Sequence, residues 1–150
     1  MELSDEIRIQ APRDKVYAAL NDPEILRQSI PGCEALEETG PGAYEARVVL
    51  KIGPVKARFS GAVTLDTTDA PGAFSLTGEG KGGAAGFAKG GADVTLTEEG
   101  EETVLTYVAR VEIGGKIAQL GSRLIAGTAK KLSGKFFAAF AEQLNQPAQG

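Results

Sequence analysis

Histidine and tryptophan are absent from this chain, and cysteine and methionine occur once each. Without histidine there is no Ser-His-Asp or Cys-His nucleophilic pair and no imidazole to ligate zinc, which removes most common hydrolytic enzymes. The lone Cys33 cannot form an internal disulfide, which suits a reducing cytoplasm. Beside Gly32 it reads as a small buried apolar residue with no nucleophilic role. No stretch approaches the ~20 apolar residues of a membrane span. Residues 1 to 10 alternate polar and apolar, without the basic and then apolar run of a secretory leader. A basic excess is also missing. Lys and Arg total 16 against 20 Asp and Glu, and a net charge of −4 argues against nucleic acid as a partner.

What is present suffices for one domain. With 150 residues, 42% hydrophobic and 24% charged, the chain can bury a real core. The expected organisation is a single domain over residues 1–145 and a disordered tail, 146–150. Leu3, Ile7 and Ile9 alternate with polar neighbours as in a half-buried strand. Pro12 opens a short helix through Leu20, where its missing N–H is harmless. Asp22 precedes Pro23 as the N-cap of a second short helix, about Glu24 to Gln28. From Glu34 to about Ile113, turn signals divide the chain into six further strands of a meander. The signals are Gly40-Pro41-Gly42, Gly53-Pro54, Asp69-Ala70-Pro71-Gly72, a glycine-rich stretch at 78–91, and Glu98-Glu99-Gly100.

Alternation assigns each strand an inner face. It comprises Tyr44, Ala46, Val48 and Leu50 in the third strand, and Val55, Ala57, Phe59, Gly61, Val63 and Leu65 in the fourth. The fifth offers Phe74, Leu76, Gly78 and Gly80, and the sixth Ala88, Gly90, Ala92, Val94 and Leu96. The seventh offers Leu105, Tyr107, Ala109, Val111 and Ile113. Glycine and alanine recur at mid-strand, so either a large element fills the space or the space is a cavity. The element comes last. Lys116 to about Leu144 lacks proline, and Ile117, Gly121, Ile125, Thr128, Leu132, Phe136 and Ala139 recur near the 3.6-residue period, with Leu124 flanking. One helix of ~43 Å is expected. Gly121, Gly127 and Gly134 each cost about 0.5 to 1 kcal/mol there relative to alanine, which packing or a ligand should offset.

The stretch 78–91 holds seven glycines. Gly78-Glu79-Gly80-Lys81-Gly82-Gly83 satisfies the spacing of a dinucleotide fingerprint, yet a strand follows it where that site needs a helix N-terminus. Inner-face parity makes it instead the wall of a hollow, with Phe87 lining or gating the mouth. Lys116, Arg123, Lys130, Lys131 and Lys135 precede the first acidic residue of the terminal helix, Glu142. Lys116, Arg123 and Lys130, seven apart, form one stripe, with Leu120 and Phe137 on the basic side. The stripe reads either as a solvated face or as a docking surface for anionic headgroups or an acidic partner. Tyr107 and Thr128 supply hydroxyls on inner faces, as polar tips to a pocket or as core groups bonded to backbone.

Several motifs in order carry a family resemblance: Ala11-Pro12-Arg13, Leu20-Asn21-Asp22-Pro23-Glu24, Ile30-Pro31-Gly32-Cys33-Glu34, Gly53-Pro54-Val55-Lys56-Ala57, the glycine stretch, and Gly114-Gly115-Lys116 through Leu120-Gly121-Ser122-Arg123-Leu124-Ile125. Over residues 2 to 144 the chain closely resembles the CoxG family associated with aerobic carbon monoxide dehydrogenase. The resemblance implies an α+β, helix-grip (START-like) fold, a curved seven-stranded antiparallel sheet wrapped around a long C-terminal helix, with two short helices after strand one. It implies an accessory protein rather than an enzyme, with no covalently bound cofactor. Expected partners are a carbon monoxide dehydrogenase-type molybdenum hydroxylase, a hydrophobic small molecule such as a quinone, and the membrane surface. Expected localisation is cytoplasmic, with a peripheral contact at the inner face of the cytoplasmic membrane. The expected ligand-binding residues are Val48, Leu50, Phe59, Gly61, Leu76, Gly78, Phe87, Tyr107, Ala109, Leu124, Ile125, Thr128 and Leu132. The expected docking residues are Lys116, Leu120, Arg123, Lys130 and Phe137.

Overall fold

The computed structural model describes residues 1–144, so residue 145 and the expected tail, 146–150, lie outside the described residues. Alternating apolar and polar residues form seven strands: β1 (Glu2–Ile9), β2 (Cys33–Gly40), β3 (Ala43–Ile52), β4 (Val55–Asp66), β5 (Ala73–Lys81), β6 (Phe87–Glu99) and β7 (Glu102–Gly114). They make one antiparallel sheet ordered β1-β7-β6-β5-β4-β3-β2. Helices α1 (Arg13–Leu20) and α2 (Pro23–Ser29) join its two edge strands. Asp22 caps α2 as expected, its carboxylate accepting from the N–H groups of Glu24 and Ile25.

The registers place the expected inner residues opposite one another. Ala46 pairs with Gly61, Gly61 with Gly80, and Gly80 with Ala88. Val63 pairs with Gly78, Gly78 with Gly90, and Gly90 with Val111. Leu76 pairs with Ala92, and Ala92 with Ala109. Directly opposed residues of an antiparallel pair project to one face, so these rows make a concave surface with small residues across its middle.

The terminal helix departs from the expectation. After β7 the chain makes a 3-10 turn, Lys116–Leu120, between Gly115 at φ 82° and Gly121 at φ 92°. Left-handed backbone cannot continue an α-helix, so α3 begins only at Ser122 and runs to Leu144. It is ~35 Å long rather than ~43 Å. Lys116 and Leu120 are therefore not on α3, and the expected stripe of Lys116, Arg123 and Lys130 breaks after its first member. Close packing also requires glycine here: a Cβ on Gly115 would lie 2.5 Å from Gly86 Cα.

One core holds α3 against the concave face, and a second holds the 3-10 turn that precedes it. In the larger, Phe140 and Leu144 meet Ile9, Val16, Phe74, Val94, Leu96 and Leu105, with Phe136 and Phe137 packed alongside. In the smaller, buried Phe59, Ala85 and Ile117 are surrounded by Leu50, Ile52, Val55, Ala57 and Ile113. Burying Ile117 to 3% exposure ties the 3-10 turn to the sheet, a contribution of about 1.5–3 kcal/mol for such a side chain.

Candidate functional site

The middle of the concave face belongs to neither core. Ala46, Gly61, Val63, Leu76, Gly78, Ala92, Ala109 and Val111 are all half-buried, although they face the side that α3 crosses. Above them α3 is anchored near each end. Leu124 rests on the β3–β4 turn, where a Cβ on Gly53 would fall 2.8 Å from Leu124 Cδ2. Phe136 and Phe140 stack at 5.7 Å in the large core. The twelve residue steps from Leu124 to Phe136 carry the helix ~18 Å between these anchors. Ala46, Gly61, Gly78 and Val111 also border concavities on the outer face. The half-buried Val63, Leu76, Ala92 and Ala109 instead present their side chains to the side of α3, where small residues leave room between the anchors.

One polar pair bounds that space. Tyr107 Oη and Ser133 Oγ are 3.0 Å apart and partly buried, linking β7 to α3. The Tyr107 ring lies 6.3 Å from Phe137, nearly parallel. Sequence reasoning does not single out Ser133, because a lone serine on a helix carries no signal until its partner is known. Nor does it find Asp5, the cross-strand partner of Tyr107, which shares its face at the sheet edge. Asp5 is exposed, and its carboxylate accepts from the neighbouring Glu6 N–H at 2.8 Å.

The expected ligand-binding residues separate into groups. Val48, Gly61, Leu76, Gly78, Ala109 and Leu132 are half-buried, and Gly61, Leu76, Gly78 and Ala109 belong to the open belt. Tyr107 stands at its boundary with the large core. Leu50 and Phe59 belong to the small core, where the Phe59 ring occupies the space over Gly82. Ile125 is buried, and Leu124 is 39% exposed at the end of the molecule. Thr128 turns its hydroxyl to its own helix, donating to Leu124 O at 2.9 Å. Phe87 is a correction. Its ring covers Gly114 on the outer face, and Lys89 Nζ sits 6.0 Å from the ring centre. The outer residues Lys89 and Lys81 share its strand parity or its register, so Phe87 does not gate the concave side.

Among the docking residues, Phe137 is also corrected. It packs inward on Tyr107 and on Phe136, 4.9 Å away, because its position on the shortened α3 falls beside the core arc. Arg123 and Lys130 remain exposed on α3. Among the described residues, neither they nor Lys116 have a carboxylate within 4.0 Å.

The outer face of the sheet carries two concavities, of about 580 Å³ around Arg47, Ser60 and Lys81 and about 680 Å³ around Thr64, Thr77 and Arg110. Their charges neutralise one another through Lys81–Glu79, Lys89–Glu112 and Arg110–Asp93 contacts. Both are open to solvent and edged by charged side chains. Cys33 is half-buried, and burial pushes its thiol above its ordinary value, against smaller opposing effects of the Ala35 backbone and Arg27. That removes it as an activated nucleophile. Among the described residues no cluster of three or more His, Cys, Asp or Glu could hold a metal. No described helix is long and apolar enough to cross a membrane.

Residues 6–145 match the family model of the carbon monoxide dehydrogenase accessory subunit CoxG. The chain belongs to the CoxG family. A conserved protein from Geobacillus kaustophilus superposes with a TM-score of 0.90 at 31% identity, covering 96% of this chain and 95% of that one. A START superfamily protein from Mycobacterium smegmatis gives 0.73 at 15% identity, with 97% of each chain covered. An aromatase/cyclase from Streptomyces sp. R1128 gives 0.71 at 16% identity, covering 100% of this chain and 98% of that one. The last two likenesses establish the helix-grip fold, which hosts enzymes as well as binders. No curated protein matches the chain. CoxG is a family of accessory subunits, and the fold and family together point to an accessory or ligand-binding role.

Proposed function

We propose that this CoxG-family chain is a non-enzymatic carrier that shelters a lipophilic molecule of the quinone class between α3 and the sheet. In this role it links a molybdenum-containing carbon monoxide dehydrogenase-type oxidoreductase to the membrane. The observation that carries the reading is the belt of Val63, Leu76, Ala92 and Ala109, half-buried on the inner face between two packed cores and spanned by α3. An isoprenoid tail burying ~300 Å² there would gain ~7 kcal/mol at about 25 cal/mol per Å², before the cost of immobilising it. Tyr107, with its hydroxyl already satisfied by Ser133, can exchange that partner for a carbonyl oxygen of the head group. The belt itself contributes no carboxylate, and the Tyr107 hydroxyl beside it is bonded to Ser133. Native mass spectrometry of gently purified protein tests the proposal. A retained lipophile, or uptake of an added short-chain ubiquinone in one-to-one ratio, is expected. A chain that neither retains nor takes up such a molecule contradicts it.

The second reading is a recruitment module that docks through α3 without a small ligand. The unpaired Arg123 and Lys130, and Lys131 and Lys135 beside them, favour it. Loss of dehydrogenase association on charge reversal of these residues, in a chain that takes up no lipophile, would establish it instead.

A further inference from the structure

The meander gathers unpaired cations at one end of the sheet. Successive turns of an antiparallel meander alternate between the two ends of a sheet. The β3–β4, β5–β6 and β7–α3 connections therefore share one end, and contact between Gly86 and Gly115 brings two of them together directly. Segments 51–56, 81–89 and 114–124 contain Lys51, Lys56, Lys81, Lys89, Lys116 and Arg123 and no acidic residue. At the other end, segments 66–72 and 98–102 contain Asp66, Asp69, Glu98, Glu99, Glu101 and Glu102 and no basic residue. Arg8 and Arg13 offset the acidic end through Glu99, Glu102 and Glu98, and Lys81 and Lys89 meet Glu79 and Glu112. Among the described residues, the cations at the first end with no carboxylate within 4.0 Å are therefore Lys51, Lys56, Lys116 and Arg123.

Two local features single out the basic end. Lys51 and Lys56 lie directly opposite each other across the β3–β4 hairpin, an arrangement that like charges disfavour. Among the described residues neither has a carboxylate within 4.0 Å to relieve it. Within the ring of cations stands an apolar tip. Leu124 is 39% exposed where it overlies Gly53, and exposed Pro54 adjoins it.

We propose that this end docks onto an anionic phospholipid bilayer, with Leu124 and Pro54 entering the interface and Lys51, Lys56, Lys116 and Arg123 meeting lipid phosphates. The proposal rests on the carrier reading and gives its membrane contact an orientation. A protruding apolar tip ringed by cations matches the depth profile of a bilayer surface, apolar below and anionic above. The docking surface is not the mid-helix basic face of α3, because Lys131 and Lys135 flank the exposed Gly134 rather than an exposed apolar side chain.

Sedimentation with phosphatidylcholine vesicles, with and without phosphatidylglycerol, tests this. The full chain is expected to bind only the anionic vesicles, less so at high salt. Lys51→Gln with Lys56→Gln should weaken partition about 25-fold, at about fivefold per cation. Leu124→Ser should weaken it further, while Lys131→Gln with Lys135→Gln leaves it unchanged. Equal binding to neutral vesicles, no binding to either, or loss only in the Lys131/Lys135 variant would overturn the proposal. So would absent vesicle binding with Lys51/Lys56-dependent capture of the dehydrogenase, which identifies an acidic protein partner. Quenching of tyrosine emission by a short-chain ubiquinone is read in parallel and should survive in the Lys51/Lys56 variant. Vesicle binding as described, in a chain that takes up no quinone, supports docking and refutes the carrier reading alone.

Discussion

Gly80→Leu separates a hollow concave face from a filled one. A Cβ built on Gly80 meets only Ala88 O, at 4.0 Å, and the residue does not have a positive φ. A side chain there enters open space. The same addition at Gly90 would fall 1.9 Å from Arg110 O, and at Gly82 2.5 Å from the Phe59 ring. Those two glycines serve close packing, whereas Gly80 leaves room. Gly78 is a poorer probe, since its Cβ would press within 3.0 Å of Ala62 O and 3.1 Å of Val63 Cγ2. The folded state of Gly80→Leu should be unchanged or firmer by up to ~1 kcal/mol, because leucine reduces the freedom of the unfolded chain. Its four side-chain carbons occupy volume that a bound tail would use. At about 0.8 kcal/mol per buried methylene, uptake should weaken by about 3 kcal/mol, roughly 150-fold. Titration with a short-chain ubiquinone, followed by tyrosine emission that no tryptophan obscures, gives the affinity, and urea unfolding gives the stability. A cooperatively folded Gly80→Leu protein with wild-type affinity would refute the placement of the cavity.

A double-mutant cycle of Tyr107→Phe and Ser133→Ala should show a coupling of about 0.5–1.5 kcal/mol in unfolding free energy, and strict additivity would deny the bond that ties α3 to β7. Gly86→Ala combines φ 116° with a Cβ 2.1 Å from Gly114 O, while Gly100 at φ 64° has open space around it. Chemical denaturation should therefore show Gly86→Ala destabilising well beyond the ~1–2 kcal/mol of left-handed strain expected for Gly100→Ala, and equal losses would contradict the close approach of the two loops. Burial raises the Cys33 thiol, so alkylation by iodoacetamide at mildly alkaline pH should run slower in the folded chain than in urea. Equal or faster folded-state labelling would show the thiol to be more exposed and more ionised than its surroundings imply.

The sheet is legible in the sequence because one face of each strand from β3 to β7 is apolar or small. Alternation in β3 to β7 specifies which residues look inward, and the observed registers align them. Asp22 is legible as a cap because its chemistry is local. The start of α3 is not, since Ile117 and Ile125 keep helical spacing across Gly121 and only a left-handed φ reveals the break. Phe87 is misplaced by its size, which stands out in the glycine stretch, when its parity decides: Ala88 already occupies the inward position. Ser133 and the gathering of unpaired cations at one end require topology, since Lys51 and Lys116 are far apart in sequence and share an end only because the turns alternate.

The central claim is that an apolar ligand sits between α3 and the sheet, and nuclear Overhauser contacts between a short-chain ubiquinone and methyl-labelled protein test it most directly. The account predicts contacts to the methyl groups of Val63 and Leu76 on the inner face of the sheet, and to those of Leu132 on α3. Contacts confined to Ala62 and Thr77 on the outer face, or none at saturating ligand, would contradict it.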